Sequence, residues 1–398
     1  NLPCEDRIDT DVSEEMIGRY IRNYLKLHPY ADKLIINVFN PGDGASFVRS
    51  LIELEQKFPD KYQYEFRLYC EDDFAVPGEA FRELMNPESV ISEKAESFSG
   101  AAANRLFPKM RFSINRISDF MAHAQDYSAN MTFLVNPFVS RCRLVSSGGA
   151  VTSDSLNGLI VKSVTAFEKN DGDLVWNKFA YCSEGEDGAR KFYHEGNRLL
   201  NDLQHATAVV MNLKPVSRDV VPGTSVRVSG AEKSLIAQVH ASSDWVVTFD
   251  KCIGPEIFDS QNAEDEFPYL LDYVPGSELS GVSAFLTARP GIEAYRFLEP
   301  YLRQTGLVAL TSNENMLRML EDIRAISGSL LMQAIATDNK AFEVIGLSLT
   351  KRMLEKKGYL RGAFLVPIDL HKDLFDIEND DSKERADILL VRMDSDRR

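Results

Sequence analysis

The sequence predicts an α/β protein with two Rossmann-like, doubly wound layers, followed by a helical segment and a partial restriction-nuclease-like α/β unit. Two observations carry this. Short runs rich in Val, Ile, Phe and Tyr alternate with amphipathic stretches over the first 310 residues, and from Asn313 to Lys357 the pattern is helical before strands return.

In chain order, "SEEMIGRYIRNYLKL" opens on a capping serine and repeats apolar residues at helical spacing, so it reads as the first helix. A strand from Lys33 to Phe39, a helix from Ser46 to Lys57 and the strand "YQYEFRLYC" follow. A short helix near "PGEAFRELM", the strand "KMRFSINRI", the helix "SDFMAHAQDYS" and the strand "NMTFLVNPF" complete a first α/β domain over 1–145. The Gly/Ser-rich "SSGGAVTSDSLNG" reads as a linker. A second α/β domain, 146–310, begins with a hairpin of "GLIVKSVTAFE" and "LVWNKFAYC" and an amphipathic helix from Asp187 to Ala206. It continues with strand, helix and strand in "TSVRVSGAEKSLIAQVHASSDWVVTFD", the strands "YLLDYVP" and "SAFLTAR", and the helix "GIEAYRFLEPYLRQTG". The third part, 311–398, is helical and then returns to strands at "GAFLVPIDLH" and "RADILLVRM", separated by the acidic "FDIENDDSKE".

A chain of 398 residues is long for one core, and the first residue, Asn1 rather than Met, suggests a piece of something longer. A net charge of −15 disfavours a broad nucleic-acid surface, which needs clustered Lys and Arg, and leaves room for a local groove. Five dispersed cysteines without a C-x-x-C pair read as reduced thiols, pointing to a cytoplasmic location. No apolar run approaches the ~18 residues of a membrane span.

"LIINVFNPGDGASF" has the strand, glycine turn and helix order of a nucleotide site. A Walker A loop ends in Gly-Lys-Ser/Thr, yet no Lys lies between Asn40 and Arg49, and Phe47 stands where the third glycine of a dinucleotide fingerprint would be. The competing reading is a tight turn from Asn40 to Gly44, with Asp43 or Ser46 capping the next helix. No nucleotide-binding residues are therefore assigned.

The six histidines fall in no zinc spacing, and no G-x-S-x-G elbow appears. His240, Asp244, Asp250, Glu256 and Asp259 crowd the two ends of a strand expected to be buried. Carboxylates at a strand's carboxyl end are where open α/β sheets place ligands, so Asp244, Asp250, Glu256 and Asp259 form a candidate ligand site. Turn-capping roles compete for Asp244 and Asp250, and Trp245 reads as a core anchor.

In the last third, a helix carrying Glu343 precedes a strand, an acidic turn and a strand that Asp387 enters. That order matches the front of a PD-(D/E)XK nuclease core, in which two carboxylates hold Mg while Lys orients water. Glu343 and Asp387 are the candidate catalytic acids, Asp387 being the candidate Mg ligand. No Glu-x-Lys strand follows Asp387, and an ordinary α/β unit with a solvated acidic loop competes.

Together, "INVFNPGDG", "SSDWVVTFDKCIGPEIFD", "YLLDYVPG", "LMQAIATDNKAFEVIGLSLTKRMLE", "VPIDLHKDLF" and "RADILLV" resemble the region before the motor in large bacterial defence ATPases, the DptH-like proteins of DNA phosphorothioation-dependent restriction with HerA/FtsK-type motors. The resemblance implies an anti-phage role, with DNA and other subunits of a defence complex as partners. ATP would bind only in a motor outside this chain, through which a homo-oligomer would form. The alternatives are a non-catalytic scaffold that docks partner subunits and a nucleotide-binding regulator using the glycine turn.

Overall fold

The computed structural model describes residues 12–71, 77–86, 88–89, 98, 109–126, 128–137, 142–146, 161–168, 174–181, 206, 209–210, 222–251, 253–254, 269–275, 282–288, 292–336, 338–361, 363–368 and 387–392. Helix α1 (Glu14–Leu27) begins where the Ser13 side chain accepts from Met16 N, with Glu14 and Glu15 in its first turn and Lys26 in its last. Each charge suits the helix dipole at its end. Ile17, Tyr20, Ile21 and Tyr24 recur at three- and four-residue spacing, and all are buried.

The first α/β portion runs β1 (Lys33–Phe39), α2 (Ala45–Lys57), β2 (Gln63–Cys70), α3 (Glu79–Met85), β3 (Met110–Arg116), α4 (Ile117–His123) and β4 (Ala129–Val135). Strand β1 pairs in parallel with both β2 and β4, and β2 with β3. A central parallel strand must bury both faces, and β1 does. Leu34, Ile36 and Val38 enter the main core with α1 and α2, while Phe39 joins Tyr69, Leu134 and Phe120 in a second cluster.

Strands β5 (Cys142–Ser146), β6 (Val161–Glu168), β7 (Leu174–Tyr181) and β8 (Pro222–Val228) form a separate antiparallel sheet in the order β5-β8-β7-β6. The expected β6-β7 hairpin is present. The expected strand-helix-strand unit divides: β8 stays in this small sheet, while α5 (Gly230–Ser242), capped reciprocally by Ser229 and Glu232, leads into β9 (Ser243–Asp250) beside β4. Strands β10 (Tyr269–Val274) and β11 (Ser283–Ala288) complete the main sheet, with β11 antiparallel to both β9 and β10.

The result is one seven-stranded sheet in the order β3-β2-β1-β4-β9-β11-β10. Numbered by appearance within the sheet, this is 3-2-1-4-5-7-6. The α/β class and its mostly parallel sheet are as expected, but hydrogen bonds between β4 and β9 carry the sheet across the expected boundary at 145/146. Apolar periodicity identifies a strand without naming its partner.

Helices α6 (Ile292–Gln304), α7 (Asn313–Ile326), α8 (Leu330–Ala336) and α9 (Asp338–Lys356) send Leu298, Met316, Met319, Leu331 and Val344 into the same core as α1. Asp322 on α7 accepts from Lys351 Nζ at 3.0 Å and from Arg352 Nε, tying α7 to α9. The antiparallel ribbon β12 (Ala363–Pro367) and β13 (Ile388–Arg392) follows. Among the described residues no helix is long and apolar enough to cross a membrane. The expected linker over 146–158, of which Ser146 ends β5, the helix from Asp187 to Ala206 and the acidic loop at 375–384 fall wholly or almost wholly outside the described residues.

Candidate ligand-binding crevice

The strand order reverses between β1 and β4, so the connections after these strands leave for opposite sides of the switch point. In a doubly wound sheet that opens a crevice beyond the strands' carboxyl ends. Strand β1 exits through Asn40, Pro41 and the glycine turn. Asn40, Gly42 and Gly44 have φ of 57°, 59° and 80°, the left-handed region that glycine adopts most readily. Asn40 N donates to Tyr69 O at 2.9 Å, and its side-chain Nδ2 donates to Val135 O at 3.1 Å, which fastens the exit of β1 to β2 and β4. Strand β4 leaves through Asn136, also left-handed at φ 46°, whose N donates to Phe249 O at 2.8 Å. Two Asn-Pro steps therefore stand on adjacent strands at the switch point.

Within the turn, Gly44 N donates to Pro41 O at 3.1 Å, and Ala45 N donates to the Asp43 carboxylate at 2.9 Å. Gly42 O accepts from Gly78 N at 3.0 Å and Asp43 O from Ala80 N at 2.9 Å, so the start of α3 is latched onto the turn. A Cβ on Gly44 would lie 2.7 Å from the Phe81 ring, whereas one on Gly42 would meet nothing within 4 Å. Gly44 is there for packing, and Gly42 borders open space. Around the crevice, Glu71 follows β2, Asp119 lies in the first turn of α4 after β3, and Asp250 ends β9. Glu71 and Asp119 are exposed there, as is Arg116 at the end of β3, and Lys251 follows Asp250.

Of the carboxylates expected at the two ends of β9, Asp244 and Asp250 stand at opposite ends. Asp244 enters the strand at its amino end, accepting from Tyr24 Oη at 2.7 Å, and Asp250 lies six residues on, a rise of roughly 20 Å. Asp250 is fully buried, and its Oδ1 accepts from Ile253 N at 3.1 Å, closing the turn after the strand. Glu256 and Asp259 lie outside the described residues. His240 is buried and bonded to Ile236 O and Thr287 Oγ1, while Trp245 is the fully buried core anchor its sequence context suggested. Glu343 on α9 pairs with Lys340 at 2.8 Å, and Asp387 is exposed at the entry to β13. Among the described residues, no group of three or more His, Cys, Asp or Glu side chains is placed to hold a metal ion. The crevice residues that sequence reasoning passed over are Asn136, Glu71 and Asp119. The repeated Asn-Pro step after two apolar runs was the available signal.

No family model and no curated protein matches the chain. Its weak structural neighbours include MnmC2 of Aquifex aeolicus, at 15% identity over 30% of this chain and 38% of that one, with a TM-score of 0.20. A COG1565 superfamily protein of Burkholderia thailandensis bound to S-adenosyl-homocysteine shares 10% identity over 84% of this chain and 72% of that one, with a TM-score of 0.25. The plantazolicin methyltransferase BamL shares 11% identity over 54% and 84%, with a TM-score of 0.16. These scores are too low to argue from, and the chain spans well under half of MnmC2.

Proposed function

We propose that the crevice binds an unphosphorylated nucleoside cofactor of the S-adenosylmethionine class and that the chain acts as a methyltransferase. The observation that carries this reading is a glycine turn without a cation at the switch point of a 3-2-1-4-5-7-6 sheet whose seventh strand runs antiparallel. That strand order is the one S-adenosylmethionine-dependent methyltransferases use, a fold-level analogy to which the site chemistry adds its own weight. A Walker-type phosphate loop calls for a Lys and free amide donors, and a dinucleotide turn for free amide donors and a third glycine. Here the turn holds Asp43 instead, and two of its amides are already bonded within it. A sulfonium nucleoside carries a positive charge and no phosphate, which suits a turn that holds Asp43 and no cation. When bound, such a cofactor supplies an electrophilic methyl group. Gly42 would let the ligand approach the backbone, and Glu71 at the end of β2 would accept ribose hydroxyls.

Calorimetric titration of the chain with S-adenosyl-homocysteine and with ATP tests this reading. The expected result is binding of the first and not the second, with Glu71→Ala weakening the first at least about tenfold, as loss of a hydrogen bond to a charged group implies. The defence reading has one favouring observation: α9, β12 and β13 keep the helix-strand-strand order with Asp387 at the second strand's entry. Absence of any response to S-adenosyl-homocysteine, together with duplex-DNA binding of steep salt dependence, would replace the methyltransferase reading with a DNA-engaging defence protein.

A further inference from the structure

Strands β12 and β13 form a ribbon of two strands, and among the described residues no third strand pairs with either edge. A ribbon of that size is marginal in water and gains stability from a helix or from further strands. On one side it has such support: α7 packs beside β12, and Ile388 rests against the main core. The other side is open. Ile368 N donates to Asp387 O at 3.1 Å, so Asp387, Leu389 and Val391 turn their main-chain groups toward β12. These directions alternate along an antiparallel strand, and the main-chain groups of Ile388 and Leu390 therefore face the outer edge of β13. Leu389 and Leu390 point to opposite faces of the ribbon, yet they are 38% and 41% exposed. From Asp387 to Val391 the strand carries no Pro, Lys or register shift, the devices that usually keep an edge from pairing.

We infer that the outer edge of β13 is a self-association surface, at which a second copy of this chain pairs its own β13 in antiparallel orientation. Two features of the segment from Asp387 to Arg392, "DILLVR", favour a copy of itself over another occupant. Its apolar residues lie in the middle, so a two-fold axis at either Leu389 or Leu390 sets three apolar cross-strand pairs at the centre. Its two charges lie at opposite ends, so antiparallel self-pairing brings the acid of one copy to the end where the other carries its base, twice per dimer. Parallel pairing of the same edges would instead set like charges side by side. The product is one four-stranded sheet, β12-β13-β13-β12, with its two central strands no longer edges. The inference does not depend on the proposed cofactor.

The test uses the whole chain. Sedimentation equilibrium is expected to show monomer giving way to dimer as concentration rises to about 100 μM, where a pair of comparable Kd is substantially formed. Over the same range, hydrogen exchange at the Ile388 and Leu390 amides is expected to slow, while exchange at Leu389 and Val391, which face β12, stays constant. That readout needs no variant to fold. Asp387→Arg and Arg392→Asp each set like charges together at both ends and are expected to weaken the dimer about tenfold, and the double reversal to restore it. Leu390→Pro removes an N–H that faces outward and none that faces β12, and is expected to abolish the dimer. A chain that stays monomeric, a dimer that leaves the Ile388 and Leu390 amides unprotected, or a double reversal no tighter than the single ones would overturn the inference.

Discussion

Gly42 and Gly44 show how two identical residues in one turn come to have different jobs. Both have left-handed backbone, which costs an L-residue about 1–2 kcal/mol. Only Gly44 also has the Phe81 ring where a Cβ would go, and Phe81 is buried against Phe66 and Phe112 and cannot swing aside. Gly42→Ala is therefore expected to lower stability by about 1–2 kcal/mol, and Gly44→Ala by a further ~1–3 kcal/mol from overpacking. Urea denaturation of the two variants checks this, and equal losses would show that Phe81 yields. The same close packing was invisible in "NPGDG", because Phe81 lies 37 positions beyond Gly44 in the chain.

Among the elements, α1 is pinned to the sheet by two tyrosines one turn apart. Tyr20 Oη donates to the buried Asp272 carboxylate on β10 at 2.8 Å, and Tyr24 Oη donates to Asp244 on β9 while accepting from Asn130 Nδ2 at 3.0 Å. Burial, and then the neighbouring Asp272 carboxylate, push the Tyr20 phenol well above its ordinary value. The folded state thus holds Tyr20 neutral more firmly than the unfolded chain does. Its contribution is complete below the ordinary tyrosine pKa of about 10 and is lost as pH rises through the folded value. Tyr20→Phe should cost about 1.5–3 kcal/mol at pH 7, because a buried carboxylate loses a donor. It should also flatten the loss of stability above pH 10. Denaturation midpoints at pH 7 and 10.5 for wild type and variant measure both effects, and parallel alkaline losses would assign them elsewhere. The helical stripe of α1 was plain in sequence, whereas its partners lie 220 and 252 residues away.

On the scale of the molecule, the main sheet is one continuous hydrogen-bonded sheet assembled from distant segments. Its first four strands end at Val135, and the next begins at Ser243. Between them the chain builds the small antiparallel sheet and then returns. A fragment ending at residue 145 would leave β4 as an unpaired edge and strip Trp245, Val247, Phe249 and Leu286 from the core shared with β1 and β4. Such a fragment is expected to show no cooperative urea transition, while the full chain unfolds cooperatively. A sharp transition in the fragment would establish residues 1–145 as an independent domain after all. The proposed cofactor crevice depends on the same long-range assembly, since its rim draws on β1, β2, β4 and β9.

The sequence alone determined the α/β class, most element positions and the absence of a phosphate-gripping Lys from the first turn, because these follow from local periodicity and residue type. The tertiary structure decided which strands share a sheet, and therefore where the strand order reverses. It also set Asn40 beside the exit of β4. Those results rest on pairing between segments about a hundred or more residues apart, and short-range patterns carry no information about which of many similar apolar strands will pair.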